Sequence, residues 1–345
     1  MTDERQAVAP RLTERVPSMS AAELAATLVP PRQFDTASFE SYRPDTDYPS
    51  QSEALEKIRA FSESWKPVKA AGLFGRSKKA PAAKPGIYLD GGFGVGKTHL
   101  LAALWHAAPG PKYFGTFIEY TALIGALGYT GAVQLFTGAK FIAIDEFELD
   151  DPGDTMLMTR FLGELVAKGT RLAATSNTPP NALGEGRFAA SDFLREIQAI
   201  ADRFDIMRID GLDYRRRDIE GHAASFGDDE AALVAAVEAR VAAGERITFD
   251  DFGELVHHLS TIHPSRFVKL VEGVDAIAIS HVTPLTGQAD ALRLVAFIDR
   301  VYDAQISILS SGTSFDEVFA GDMMNGGYRK KYLRAVSRLI ASATL

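Results

Sequence analysis

At 345 residues the chain is long enough for two domains and a sizeable core, and its 46% hydrophobic and 24% charged residues are an ordinary globular balance. A formal net charge of -8 argues against a generally basic nucleic-acid binder, though not against a local basic patch. There is no cysteine, which excludes disulfides and thiolate metal sites, and no apolar run approaches the roughly 20 residues of a membrane helix.

The first residues, MTDERQAVAPRLTERV, carry acids and no apolar core, a poor match to a secretory signal or a mitochondrial presequence. A reducing cytoplasm is the expected compartment. Residues 1–47 read as an N-terminal arm with one short helix at Ser20–Leu28, Ser20 serving as N-cap. Leu55, Ile58, Phe61 and Trp65 keep helical spacing over Ser52–Trp65. Gln51, just before them, stands either beside a bound base or at the helix start as its cap. Residues 66–84 (KPVKAAGLFGRSKKAPAAK) are basic, Gly/Ala/Pro-rich and aperiodic, which predicts a mobile surface loop. A solvated linker is the plainer reading of it; contact with an acidic partner or a phosphate backbone is the other.

Gly91-Gly92-Phe93-Gly94-Val95-Gly96-Lys97-Thr98 matches the phosphate-binding pattern G-x-x-x-x-G-K-[ST]. Glycines let the backbone curl so that N–H groups turn inward on phosphate oxygens, and the helix that follows adds the positive end of its dipole. Context supports the match. Ile87-Tyr88-Leu89 reads as a buried strand and Thr98–Ala108 as a helix, the order the motif needs. Lys97 would reach the β- and γ-phosphates of ATP, the Thr98 hydroxyl would hold Mg²⁺, and His99 belongs to the same nucleotide-binding stretch.

Lys112–Phe114 is a predicted second strand and Phe117–Leu127 a helix. Phe141–Ile144 forms a buried parallel strand that delivers Asp145 and Glu146 at its carboxyl edge, where α/β sheets bind ligands. Asp145 suits the Walker-B role of completing the Mg²⁺ shell, and Glu146 that of the general base on water. Asp154–Lys168 is a predicted helix and Leu172–Ser176 a strand. Asn177 at its tip either orients the attacking water or caps the Thr178-Pro179-Pro180 turn. A helix at Asp192–Arg203 and a strand at Phe204–Ile209 complete a unit of residues 48–217. The alternation predicts a parallel sheet flanked by helices.

Residues 218–345 read as a smaller α/β region. Helices are expected at Asp229–Ala243, Asp290–Val301 and Tyr328–Ile340, with strands at Ala276–Ile279 and Ile306–Leu309. Thr248–Phe252 is expected to lead into a further helix. His257, His258 and His263 fit no metal-ligand spacing and read as ordinary surface or packing histidines.

Taken together, Gly86–Leu100, Ile144-Asp145-Glu146-Phe147 with Asp151 and Asp154, and Ala174-Thr175-Ser176-Asn177 with Pro179 resemble the ZapE/Afg-type AAA+ ATPases. So do Asp213-Tyr214-Arg215, Phe297–Asp303 and Ser337-Arg338-Leu339. The likeness runs from about Gln51 to Ile340. It implies a P-loop NTPase sheet of the ASCE type, with Asn177 as sensor 1. It also implies a homo-oligomer in which a neighbour's arginine completes the site. In bacteria such proteins act on FtsZ polymers in cell division, and mitochondrial relatives serve in quality control of inner-membrane proteins.

The chain departs from the family pattern in three places. Tyr113–Tyr120 lacks the usual histidines, Ala189-Ala190 replaces the usual Gln-Arg pair, and the segment between the fifth strand and Phe297 is shorter. Arg187 and Arg195 therefore become candidate finger residues, with Arg160 a third, and Arg293 or Arg338 could serve as sensor 2.

The function expected is a Mg²⁺-dependent ATPase that remodels a protein partner, FtsZ or another division component, with peripheral membrane association left open. A helicase-loader-like ATPase acting with nucleic acid, or a nucleotide-gated scaffold, are the alternatives. Guanine specificity is not expected, since no Asn-Lys-x-Asp follows the core strands.

Overall fold

The computed structural model describes residues 8–65, 84–149, 152–179, 183, 194–212 and 223–343. The basic stretch 66–83, Asp151, Arg187, Ala189-Ala190 and Asp213–Arg217 lie outside the described residues. Two compact units are present. One holds the described parts of residues 20–30 and 34–214, and the other those of 1–19, 31–33 and 215–345.

The first unit opens with α1 (Ala21–Ala26). Ser20 Oγ accepts the Glu23 N–H, and the Glu23 carboxylate accepts the Ser20 N–H at 2.8 Å, a reciprocal capping box. After α2 (Pro49–Glu63) come β1 (Gly86–Gly91), α3 (Lys97–Ala107), β2 (Lys112–Thr116), α4 (Phe117–Phe136) and β3 (Phe141–Asp145). Then follow α5 (Pro152–Ala167), β4 (Arg171–Ser176), α6 (Leu194–Ala201) and β5 (Phe204–Ile209). Every pairing is parallel, in the order β2-β3-β4-β1-β5. β1 and β3 are buried along their whole length, as their near-continuous apolar runs require. β4 lies between them, so the phosphate-loop strand and the acid-bearing strand flank a common neighbour. That is the ASCE arrangement of a P-loop NTPase.

Helix α4 outruns the expected end at Leu127. Gly128 (φ 69°, ψ 157°) breaks the helix locally, and a second helical stretch continues to Phe136. Glycine at that place reads as a helix stop. Burial of Ala132, Val133 and Phe136, with Phe136 edge-on to Phe161 at 5.5 Å, restarts the helix.

The second unit contains α7 (Glu230–Ala242), β6 (Ile247–Asp251), α8 (Phe252–Thr261), α9 (Phe267–Leu270), β7 (Ala276–Val282), α10 (Gln288–Asp303), β8 (Ser307–Gly312) and α11 (Arg329–Ser342). Its sheet, β6-β7-β8, is parallel too. The segment expected to lead into a helix is itself strand β6, because Ile247, Thr248 and Phe249 suit a buried pleated surface and pair with β7. The helix then begins at Phe252, with Asp251 as its N-cap accepting from Gly253 N at 2.9 Å and Glu254 N at 3.2 Å.

The early residues of the chain are built into this unit. Asp250, fully buried, accepts from Leu12 N (2.9 Å), Thr13 N (3.0 Å) and Thr13 Oγ1 (2.9 Å), while Phe249 N donates to Pro10 O at 3.0 Å. Leu12 enters the core formed by α8, α10 and β7. Asp299 of α10 takes ion pairs from Arg334 (2.6 Å) and Arg338 of α11, and Arg338 also lies over the Tyr302 ring. The Phe-Ile-Asp and Ser-Arg-Leu blocks thus pin two helices together. Among the described residues no helix is long and apolar enough to cross a membrane.

Candidate nucleotide site

The phosphate loop joins β1 to α3, and its shape needs glycine at defined places. Gly91 (φ 156°), Gly94 (φ 63°) and Gly96 (φ 87°) occupy backbone regions that side chains disfavour. At Gly96 a Cβ would also meet the Tyr42 ring at 2.5 Å. Tyr42 braces the loop from outside: its hydroxyl donates to Val95 O at 3.1 Å, and burial pushes its pKa up to about 12. Gly96 is the residue before α3, so the free N–H groups of that helix open onto the loop.

Lys97 is buried, and its Nζ donates to Gly91 O (3.1 Å), Gly92 O (2.5 Å) and Asn177 Oδ1 (3.0 Å). Ser176 Oγ accepts the Thr178 N–H at 3.0 Å, so Ser176 performs the turn-capping left open for Asn177. The Asn177 side chain turns to the lysine instead. Thr98 Oγ1 stands 3.2 Å from both oxygens of Asp145, a carboxylate that is only 8% exposed. Thr175 Oγ1 donates to Asp145 Oδ1 in a short contact and accepts the Glu146 N–H at 3.1 Å. Glu146 has φ 54°, unusual for a side-chain-bearing residue, and is half-buried. The strained residue directly after the strand is the predicted base, and the hydroxyl that fixes its backbone also holds the neighbouring acid.

Lys97, Thr98, Asp145, Glu146 and Asn177 thus converge at the carboxyl edge of β1, β3 and β4. A hydroxyl beside a buried carboxylate is a hard-oxygen pair of the kind Mg²⁺ takes, and a glycine-shaped loop leading into a helix N-terminus, with its lysine, matches a triphosphate. The structure fits both.

The other expected residues are placed differently. The His99 ring is held by Ser38 O (3.1 Å) and Ser41 Oγ (2.9 Å) and packs against Phe34 and Tyr42. Gln51 does not serve as the cap of its helix, which is Tyr48. It accepts from Asp45 N at 2.9 Å and donates to Asp210 O at 2.9 Å, tying two chain segments together. Arg195 is exposed in the first turn of α6, and Arg187 lies outside the described residues. Arg160 lies over the Tyr129 ring at 4.4 Å, and Arg293 pairs with Asp290 at 2.9 Å within its own helix. Arg338 is engaged with Asp299. His258 and His263 make ordinary contacts, with Arg15 O and Ser265, and no metal-competent cluster of His, Cys, Asp or Glu occurs among the described residues. The member of this hydrogen-bonded cluster that sequence reasoning missed is Thr175; a hydroxyl one position before Ser176-Asn177, level with the acids of the next strand, was the available signal.

A phosphate loop on one strand, paired acids on another and a polar tip on the strand between them define a P-loop ATPase of the AAA+ type, an ATP-hydrolysing enzyme. The chain belongs to the AFG1-like ATPase family, whose model matches residues 18–243 and 227–344. It is 27% identical over 295 residues to the cell division protein ZapE of Escherichia coli, covering 74% of this chain and 76% of that protein. An uncharacterised protein of Schizosaccharomyces pombe is 24% identical over 204 residues, 51% of this chain and 44% of that one. Among solved structures, the DnaC helicase loader matches with 18% identity and a TM-score of 0.35, over 52% of this chain and all but 1% of that one (99% covered). DnaA bound to AMPPCP and single-stranded DNA matches with 12% identity and a TM-score of 0.39, over 78% of this chain and 82% of that one.

Proposed function

We propose that the protein is a Mg²⁺-dependent ATPase that uses hydrolysis to remodel a protein partner in bacterial cell division, with FtsZ polymers as the leading candidate. The observation that carries the catalytic part is that Asp145 stands between the hydroxyls of Thr98 and Thr175, and that the Thr175 hydroxyl also accepts the Glu146 N–H. Loop N–H groups and Lys97 bind and orient the β- and γ-phosphates. Thr98 and Asp145 would hold Mg²⁺, which when bound neutralises charge on the phosphate oxygens. Glu146 accepts the proton of the attacking water, and Asn177 fixes that water or the γ-phosphate. An arginine from a neighbouring subunit, Arg187 or Arg195, completes charge neutralisation, which makes a homo-oligomer the working form. Removal of such a finger costs on the order of 10³-fold or more in rate. The division role is supported by likeness to ZapE, and a cytoplasmic location belongs to the same reading. The domain assignment at residues 48–217 and 218–345 gives catalysis to the first region and leaves partner engagement to the second.

The test is steady-state ATPase activity of the full chain, alone, with FtsZ polymers and with single-stranded DNA, each paired with Glu146→Gln. Stimulation by FtsZ that vanishes in the variant is the expected result. Stimulation by DNA with none by FtsZ overturns the division role in favour of a loader-like enzyme. Normal turnover by Glu146→Gln overturns the base assignment.

A further inference from the structure

The end of β1 carries a charge that the hydrolytic chemistry leaves unused. Asp90 immediately precedes the phosphate loop and is 3% exposed, yet its Oδ1 has no hydrogen-bond partner. Arg208 Nη1 stands 3.9 Å away, but Arg208 is mostly exposed and donates its Nε to Asp210 at 2.8 Å. A buried carboxylate oxygen in that condition is energetically unfavourable. The strand register locates it. Asp90 is level with Ser176 on β4 and with Arg208 on β5. It therefore sits one residue before Gly91 along the chain and beside the residue before Asn177. Gly91 O and Asn177 Oδ1 are two of the acceptors that hold Lys97 Nζ.

A negative charge in that corner acts twice in the same direction. It favours Lys97 on the loop carbonyls, and it repels an incoming phosphate. We propose that Asp90 is a positioning residue for Lys97, holding it on the loop while the phosphate site is empty, opposing its transfer to the nucleotide and so speeding nucleotide release. Arg208, shared with Asp210, partly neutralises this charge and sets its strength. The inference rests on the ATP reading of the site. The charged and titratable groups around Asp90 are Tyr88 on its own strand, Lys97 from α3, Arg208 and Asp210 from β5 and its end, and Glu148, which with Asp90 bears on Tyr88.

The experiment is equilibrium and stopped-flow binding of the N-methylanthraniloyl analogue of ATP with Mg²⁺. It compares the full-length chain with Asp90→Asn, Arg208→Gln and Lys97→Ala between pH 6 and 8.5. At pH 8 Asp90→Asn should bind about tenfold tighter, the scale of one unit charge acting across about 12 Å at an effective dielectric near 20. The gain should appear mainly in a slower off-rate. Arg208→Gln should bind more weakly by about threefold, since it leaves the carboxylate less neutralised. Burial pushes the Asp90 carboxyl above the usual carboxylate range. The gap between wild type and Asp90→Asn should therefore narrow as pH falls, and Asp90→Asn corrects for protonation of the nucleotide itself. Asp90→Asn binding no tighter than wild type at pH 8 overturns the proposal. If that variant fails to fold, unchanged binding by Arg208→Gln overturns it and weaker binding sustains it. A wild type that binds no better than Lys97→Ala overturns the ATP reading itself, and this inference with it.

Discussion

The two units each end a buried parallel strand in two adjacent carboxylates, and the two pairs have opposite fates. On β3, Asp145 faces the hydroxyls of Thr98 and Thr175 beside a phosphate loop, and Glu146 follows in a strained conformation. On β6, Asp250 is filled by backbone N–H groups of Leu12 and Thr13, and Asp251 by the start of α8 and by His281. Chain position is equivalent; partners are not. An apolar strand ending in two acids becomes a reaction centre only when its neighbours are hydroxyls and a cation beside an anion cradle. Surrounded by backbone donors, the same carboxylates become joints.

Exchanging the charge at each carboxylate tests this contrast. The largest effect is expected for Glu146→Gln, which should lower kcat by 10²- to 10⁴-fold while nucleotide still binds. The matching change Asp251→Asn should leave kcat within about twofold. Steady-state kinetics and analogue binding on both variants read this directly, and comparable losses of turnover would erase the distinction.

Next comes Asp250→Ala. It strands the N–H groups of Leu12 and Thr13 and breaks the ion pair with Arg11, for an expected loss of about 3 kcal/mol. Urea unfolding measures the loss, and limited proteolysis should show cleavage near residues 8–19 well before the first unit is cut. A smaller, sharper test is Thr175→Val, which keeps volume and removes the hydroxyl between Asp145 and Glu146. By analogy with residues that orient metal ligands, kcat should fall about 10- to 100-fold with little change in ATP binding.

The smallest effect concerns His281, which bridges Asp251 (3.0 Å) and Glu230 (2.9 Å) with φ 54°. The hydrogen bond to Asp251 raises its pKa above the ordinary 6.5; burial, the next largest influence, opposes this, and the hydrogen bond to Glu230 adds to the rise. With the folded value above the unfolded one, the stabilisation is fully present below about pH 6.5 and is lost as pH rises through the folded value. The side chain is exposed, so the effect should stay under about 1 kcal/mol. The Tm difference between wild type and His281→Gln, followed from pH 5 to 8.5, should shrink toward the alkaline end. A difference independent of pH would show that the bridge carries no charge.

The first sheet was legible because its strands are uninterrupted apolar runs and its loop chemistry is strictly spaced. Lys97, Thr98, Asp145 and Glu146 could be named from sequence for the same reason. What stayed hidden depended on distant neighbours. Strand β6 was read as the lead into a helix, since its final Asp250-Asp251 resembles a cap and its true partners, Leu12 and Thr13, lie over 200 positions away (separation 238 and 237). The second half of α4 was lost behind Gly128, where tertiary burial of Phe136 overrides a local stop signal. Gln51 and His99 sit near the right place in sequence, but their hydrogen bonds join backbone segments. Asp90 drew no notice because a single acid before a glycine loop has no pattern of its own.

The seating of Leu12 on Asp250 also has a consequence for biosynthesis. The two residues are separated by 238 positions, so Leu12 leaves the ribosome long before its acceptor exists. At 5–20 residues per second the wait is on the order of 10–50 s. Throughout that interval an apolar residue destined for a core is displayed on a nascent chain, and the first unit, which runs to residue 214, is itself finished before the acceptor emerges. The opening segment thus takes its seat only after the first unit has been synthesised, and a nascent-chain chaperone would meet it first.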